Sequence, residues 1–86
     1  DLLELRDERG DWKRFAAYAD AMLDDEEFFI RKAIGWVLRD TSRKRPDLVY
    51  RWVLPRASRA SGVTVREAVK YLKPSQSRAV MKNYRG

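Results

Sequence analysis

Twelve residues uninterrupted by proline, Phe28 to Arg39, constrain this chain more than any other stretch: Phe-Phe-Ile-Arg-Lys-Ala-Ile-Gly-Trp-Val-Leu-Arg. They follow Asp24-Asp25-Glu26-Glu27. Acidic residues suit a helix start because they complement the partial positive charge of the first turn's free N–H groups. At ~100° per residue, Phe29, Ile30, Ala33, Ile34, Val37 and Leu38 cover one half of the cylinder. Apolar residues over that much of the circumference predict a helix wedged between two neighbours. The other half carries Arg31, Lys32, Gly35, Trp36 and Arg39, with Phe28 among them. Three cations, a glycine that lets something approach the backbone and a tryptophan on the border form a surface suited to tracking a phosphate backbone.

The charge balance points the same way. Residues 1–30 hold 10 acids and 4 bases, a net of −6, whereas residues 31–86 hold 3 acids and 15 bases, a net of +12. The two sum to the chain's +6. A segment this basic attracts polyanions, of which nucleic acid is the commonest; the alternative is a solvated basic surface with no specific partner. At 86 residues there is room for one small domain with a modest core. The chain has neither Cys nor His, which removes disulfides and thiol chemistry and leaves only an all-carboxylate zinc site, so no metal and no cofactor are expected. No apolar run approaches the ~20 residues that span a bilayer, and no secretory core is present, so a soluble cytoplasmic protein is expected. Asp1-Leu2-Leu3-Glu4-Leu5 reads as the tail of a helix, which makes the chain a piece of a longer one.

Punctuation along the chain predicts five helices, over about 12–23, 26–43, 46–54, 65–72 and 75–84. Gly10 reads as a turn residue and Asp11 as the first N-cap, its carboxylate accepting from free N–H groups. Trp12, Phe15, Ala16, Ala19, Met22 and Leu23 then recur at helical spacing, and a short connection makes this helix an antiparallel neighbour of the next. Pro46 ends the organising helix and begins the third, because proline disfavours helical geometry in the residue before it and suits the first helical position itself. Leu48, Val49, Trp52 and Val53 mark the third helix's buried face, which Pro55 breaks. Thr64-Val65-Arg66-Glu67 matches a capping box, with Val65, Ala68, Val69 and Leu72 inward. Pro74 starts the last segment, with Val80, Met81 and Tyr84 on its apolar side. No alternating β-branched run suggests a strand, so the fold is expected to be all-α.

Glu27-Phe28-Phe29-Ile30-Arg31-Lys32-Ala33-Ile34-Gly35-Trp36-Val37-Leu38-Arg39, then Pro46-Asp47-Leu48-Val49, Ser61-Gly62 and Arg66-Glu67-Ala68, resembles the C-terminal part of the DNA alkylation repair family. These are AlkD-type alkylpurine DNA glycosylases built from HEAT-like repeats, and the resemblance runs from about Trp12 to Leu72. It implies the C-terminal end of an α-solenoid of antiparallel helix pairs, consistent with a repeat of ~40 residues. It implies double-stranded, alkylated DNA as partner and, in the intact protein, hydrolytic excision of N3- or N7-alkylated purines. It carries Trp36 over as a contact to the lesion's deoxyribose and Arg39 as a phosphate contact one turn on. Lys32 and Arg31 fit the same face. The family's catalytic element is an Asp near another Trp on an earlier repeat, and no stretch here resembles it, so no catalytic residue is assigned.

Each of these residues also has a plain structural reading. Trp36 on a helix face can be core, as Trp12 and Trp52 are read to be. Arg43-Lys44-Arg45 at a helix C-terminus opposes the negative end of the dipole whether or not it meets DNA. Arg56, Arg59 and Arg66 flank a connection and a helix start where backbone N–H groups also bind phosphate, and each can equally be a solvated side chain; Arg59 and Arg66 are taken as outer DNA contacts. Asp40 falls beside Phe29 and Ala33 on the helical wheel, in the expected packed half, and is set aside as a catalytic acid. A non-catalytic helical DNA-binding module and a protein-interaction scaffold remain as alternatives.

Overall fold

The computed structural model describes residues 8–86 of the chain. Its helices are α1 (Glu8–Met22), α2 (Phe28–Lys44), α3 (Pro46–Val53), α4 (Gly62–Ala68) and α5 (Pro74–Arg85), with a 3-10 turn at Leu54–Arg56. Among the described residues there is no strand, and the fold is all-α. No described helix is long and apolar enough to cross a membrane. The expected helix tail at Leu2, Leu3 and Leu5 lies outside the described residues.

Local chemistry accounts for most boundaries. Pro46 and Pro74 each occupy the first turn of their helix, where the missing N–H would have no intrahelical partner. Pro55 falls in the 3-10 turn that ends α3. Two starts differ from expectation by three residues or more. The first helix runs through Gly10 and Asp11, so Asp11 is no N-cap; its carboxylate accepts from Arg14 Nη2 at 2.8 Å inside the helix. The fourth begins at Gly62, three residues before the expected start, because Ser61 rather than Thr64 is the cap: Ser61 Oγ accepts from the Thr64 N–H at 3.1 Å. The Thr64 hydroxyl donates instead to the carbonyl of Arg31 at 2.9 Å, tying α4 to α2. Beyond Ala68 the chain tightens into shorter-range bonds, Lys70 N–H to Glu67 O and Leu72 N–H to Val69 O, before Lys73 turns extended ahead of Pro74.

The core gathers Ala19 and Leu23 of the first helix and its end, Ile34 and Leu38 of α2, Val49 and Val53 of α3, Ala57 and Ala60 of the connection, Val65, Ala68 and Leu72 around α4, and Val80 of α5. Its closest packing is between α2 and α4. This contact overturns the expected orientation of α2. Phe29 is 80% exposed and Val37 41%, and Ala33 is exposed as well, whereas Gly35 is buried. A Cβ at Gly35 would stand 3.0 Å from Glu67 Cβ and 3.3 Å from Thr64 Cα. The glycine admits α4, not a nucleic acid, and the buried arc turns toward it, to Ile34, Gly35, Leu38 and Ser42. Asp40 correspondingly lies outward, its side chain 68% exposed, rather than in a packed half.

The contacts seen for α1 go chiefly to α3 and the connection after it. Trp12 meets Trp52 edge-on at 6.1 Å between ring centroids, with Phe15 at 5.7 Å from Trp12 and 6.5 Å from Trp52. Asp20 accepts from Arg56 Nε and Arg59 Nη1, both at 3.0 Å. On the α2 side a groove of about 650 Å³ remains, lined among others by Trp12, Phe15, Val37, Thr41 and Leu48. The first two helices thus flank one groove and share the core through Ala19, Leu23, Ile34 and Leu38, while the aromatic and ionic contacts of α1 run to α3 and the connection after it.

Candidate nucleic-acid interface

On α2, Lys32, Trp36, Arg39 and Arg43 recur at spacings of four, three and four, which places them on one face. The Lys32 ammonium lies 5.5 Å from the Phe28 ring centroid and 5.2 Å from that of Trp36, held between two rings one turn below and one turn above. Both rings are outside the core, Phe28 at 53% and Trp36 at 46% exposure. Trp36 is thus a surface residue, and the ring quadrupoles hold the neighbouring cation in place while leaving it accessible.

One turn on, Arg39 is gripped from α4. Its Nη1 donates to Glu67 Oε1 at 3.1 Å, while its Nε is buried without a hydrogen-bond partner, 3.7 Å from Asp40 Oδ1. Glu67 also pairs with Lys70 at 3.3 Å. Further along, Arg43 stacks at 4.7 Å on the Tyr71 ring and donates to its hydroxyl at 3.0 Å. Glu67 and Tyr71 therefore brace two of the row's three cations from across the α2–α4 contact. Sequence reasoning reads Arg43 as one of three helix-end cations, with a DNA role left open for the run, and Glu67 as half of a cap. The spacing from Lys32 through Trp36 and Arg39 to Arg43 is the signal that identifies Arg43.

The other cations named from sequence do not join this row. Arg31 donates from Nε to the Asp25 carbonyl at 2.8 Å, bracing the entry to α2. Arg59 is taken up by α1, bonded to the Asp20 carboxylate and carbonyl and 3.7 Å from Asp24. Arg56 stacks on Trp52 at 4.6 Å and shares Asp20. The hydrogen bonds from Arg56, then Arg59, hold the Asp20 carboxyl below its ordinary value of 3.8. Arg66 is exposed beside Gly62 and the Tyr84 hydroxyl, both its Nη1 and that hydroxyl lying 2.8 Å from where a Cβ on Gly62 would stand.

Among the described residues no group of three or more acids could hold a metal ion. Nor is there a carboxylate both free and sheltered near the row: Glu67 is shared by two cations, and Asp40 is open to water, where a charge stabilises little. The row can hold an anionic backbone and press an aromatic ring against it, which is binding chemistry. Neither a curated protein nor a solved structure matches the chain. The sequence pattern of one family, described as DNA alkylation repair enzyme, matches residues 3–72, most of the chain and all of α1 through α4. The braced cationic row thus lies inside the matched region, and the chain belongs to the DNA alkylation repair enzyme family.

Proposed function

We propose that the chain is a DNA-contacting part of a protein that excises N3- or N7-alkylated purines, and that it contributes the C-terminal end of a HEAT-like solenoid. In this reading Lys32 and Arg39 hold phosphates of a double-stranded substrate while Trp36 lies against the deoxyribose of the damaged nucleotide; Arg31 flanks them, Arg66 is an outer contact, and Arg59 becomes one on exchanging Asp20 for a phosphate. The observation that carries the reading is the Lys32 ammonium held between the exposed rings of Phe28 and Trp36. A solubilising lysine gains nothing from such a mount, whereas a backbone contact gains a fixed position. An alkylated purine is already a good leaving group, so excision chiefly needs stabilisation of a cationic sugar. The described residues supply no suitable carboxylate, and this chain's share is binding and orientation.

The test is binding of a defined duplex across a salt series. Removing one phosphate contact flattens the log–log salt slope by about 0.9, so Lys32→Gln should show that change, and Trp36→Ala should weaken binding with the slope preserved. Wild-type binding that is insensitive to salt, or a Trp36→Ala variant that binds as wild type, would refute the reading. The interaction-scaffold alternative predicts no duplex binding at low salt.

A further inference from the structure

The family match ends at residue 72, and α5 lies beyond it. Its charge is one-sided: Glu67 is the last acid in the chain, and residues 68–86 carry Lys70, Lys73, Arg78, Lys82 and Arg85. Arg78, Lys82 and Arg85 are spaced four and three residues apart, which puts them on a single helical face. All three are exposed, and no ion pair engages them among the described residues. They rim a shallow depression whose lining also includes Ser77 and Met81.

The helix that presents them is firmly seated. Val80 is fully buried, and Met81 and Tyr84 pack against the core. Gln76 Nε2 donates to Asp47 Oδ1 at 2.8 Å, and Asn83 Nδ2 donates to the Leu54 carbonyl at 2.9 Å. Both α3 and its terminal turn thus hold α5 in place. A row of cations on a fixed element, with no acid on the same element to neutralise it, is complementary to a regular polyanion.

We propose that the Arg78–Lys82–Arg85 face is a second phosphate-binding surface, which holds the backbone of the duplex at a place separate from the α2 row. This proposal rests on the DNA reading above. Arg78 to Arg85 spans roughly 10 Å along the helix at ~1.5 Å per residue, against one phosphate per ~3.4 Å of each DNA strand. Three side chains therefore match a short run of one strand. The face carries no exposed large apolar residue, since those of the described chain are Tyr18, Phe28, Phe29, Trp36, Val37 and Tyr71. A helix that enters a lipid surface needs an apolar side to insert, and α5 has committed its own to the core, so a nucleic-acid backbone fits better than a membrane.

The experiment compares three forms of the chain on one undamaged duplex across a salt series: wild type, R78Q/K82Q/R85Q, and a control with the same charge loss elsewhere, K13E/R51Q. The face predicts that the triple variant lowers the magnitude of the salt slope by about 2.7, while the control changes it little. Lys82 and Arg85 sit in the last turn of α5, where cations oppose the negative end of the helix dipole, so the glutamine variants should melt slightly below wild type but as cooperatively, and the melt is recorded alongside. Equal slopes for the triple variant and wild type overturn the second surface while leaving the α2 row standing. Equal losses in the triple variant and the control also overturn it, showing a net-charge effect only. Wild type that fails to bind the duplex but binds vesicles containing phosphatidylserine through these residues overturns both readings.

Discussion

A methyl group at position 35 would stand 3.0 Å from Cβ of Glu67 and 3.3 Å from Cα of Thr64. Neither atom belongs to the far end of a flexible side chain, and Thr64 is also pinned by its hydroxyl to the carbonyl of Arg31. In a free helix, alanine for glycine would gain about 1 kcal/mol of helix propensity. Here α4 has to move, and overpacking of this kind costs about 1–3 kcal/mol. Gly35→Ala should therefore lower stability by about 1 kcal/mol net, read as a lower midpoint in urea at unchanged slope; a raised midpoint would show that α4 can yield. The same shift would disturb Glu67 and with it the hold on Arg39. The glycine acts on the interface through packing, although its position among cations had suggested direct contact with DNA.

At the scale of the element, α1 depends on few, large side chains. Trp12, Phe15 and Trp52 form one aromatic group that joins it to α3, and Asp20 adds a polar tether to Arg56 and Arg59. Truncating a tryptophan in such a group typically costs about 3 kcal/mol or more. Trp52→Ala should release α1 first, because Arg56 loses its stacking partner in the same substitution. Hydrogen exchange should show amides of α1 opening well before those of α2, which keeps its contacts with α4. Simultaneous loss of protection in both helices would mean that the five helices unfold as one unit. The aromatic group was legible from the spacing of Trp12 and Phe15 and the stripe of α3, but its pairing was not, because helical spacing does not say which stripe meets which.

For the whole molecule, the described part of the acidic N-terminal third packs on the basic remainder, and Asp20 is the clearest point of contact. Its pKa is lower in the folded chain than its ordinary value of 3.8, owing to Arg56 and then Arg59. The stabilisation is therefore complete above the ordinary value and is lost as pH falls through the folded one. Asp20→Asn should lower the melting temperature at neutral pH, and the gap from wild type should close in the acid range below about pH 4. The same substitution frees Arg56 and Arg59 for phosphate. Duplex binding at neutral pH should tighten, and the salt slope should steepen by up to about 0.9 for each arginine recruited. A constant melting gap across pH would argue against the ionic tether, and unchanged DNA binding would argue against Arg59 as an outer contact.

What the sequence determined by itself was the local part: five helices, their proline-marked starts at Pro46 and Pro74, the break at Pro55, and a charge distribution suited to a polyanion. Helix formation and turn punctuation depend on neighbours within a turn or so, and those neighbours are visible in the chain. Tertiary structure decided which arc of α2 is buried, since Phe29, Ala33 and Val37 are as apolar as the residues that were chosen. It decided the cap of α4, where Ser61 and Thr64 were locally equivalent until Thr64 was drawn to Arg31. It also decided which cations stay open: Arg39 meets Glu67 across 28 residues and Arg59 meets Asp20 across 39, while Lys32 stays half-buried between two rings with no acid paired to it among the described residues. Those outcomes depend on what approaches from far along the chain, and helical periodicity carries no information about that.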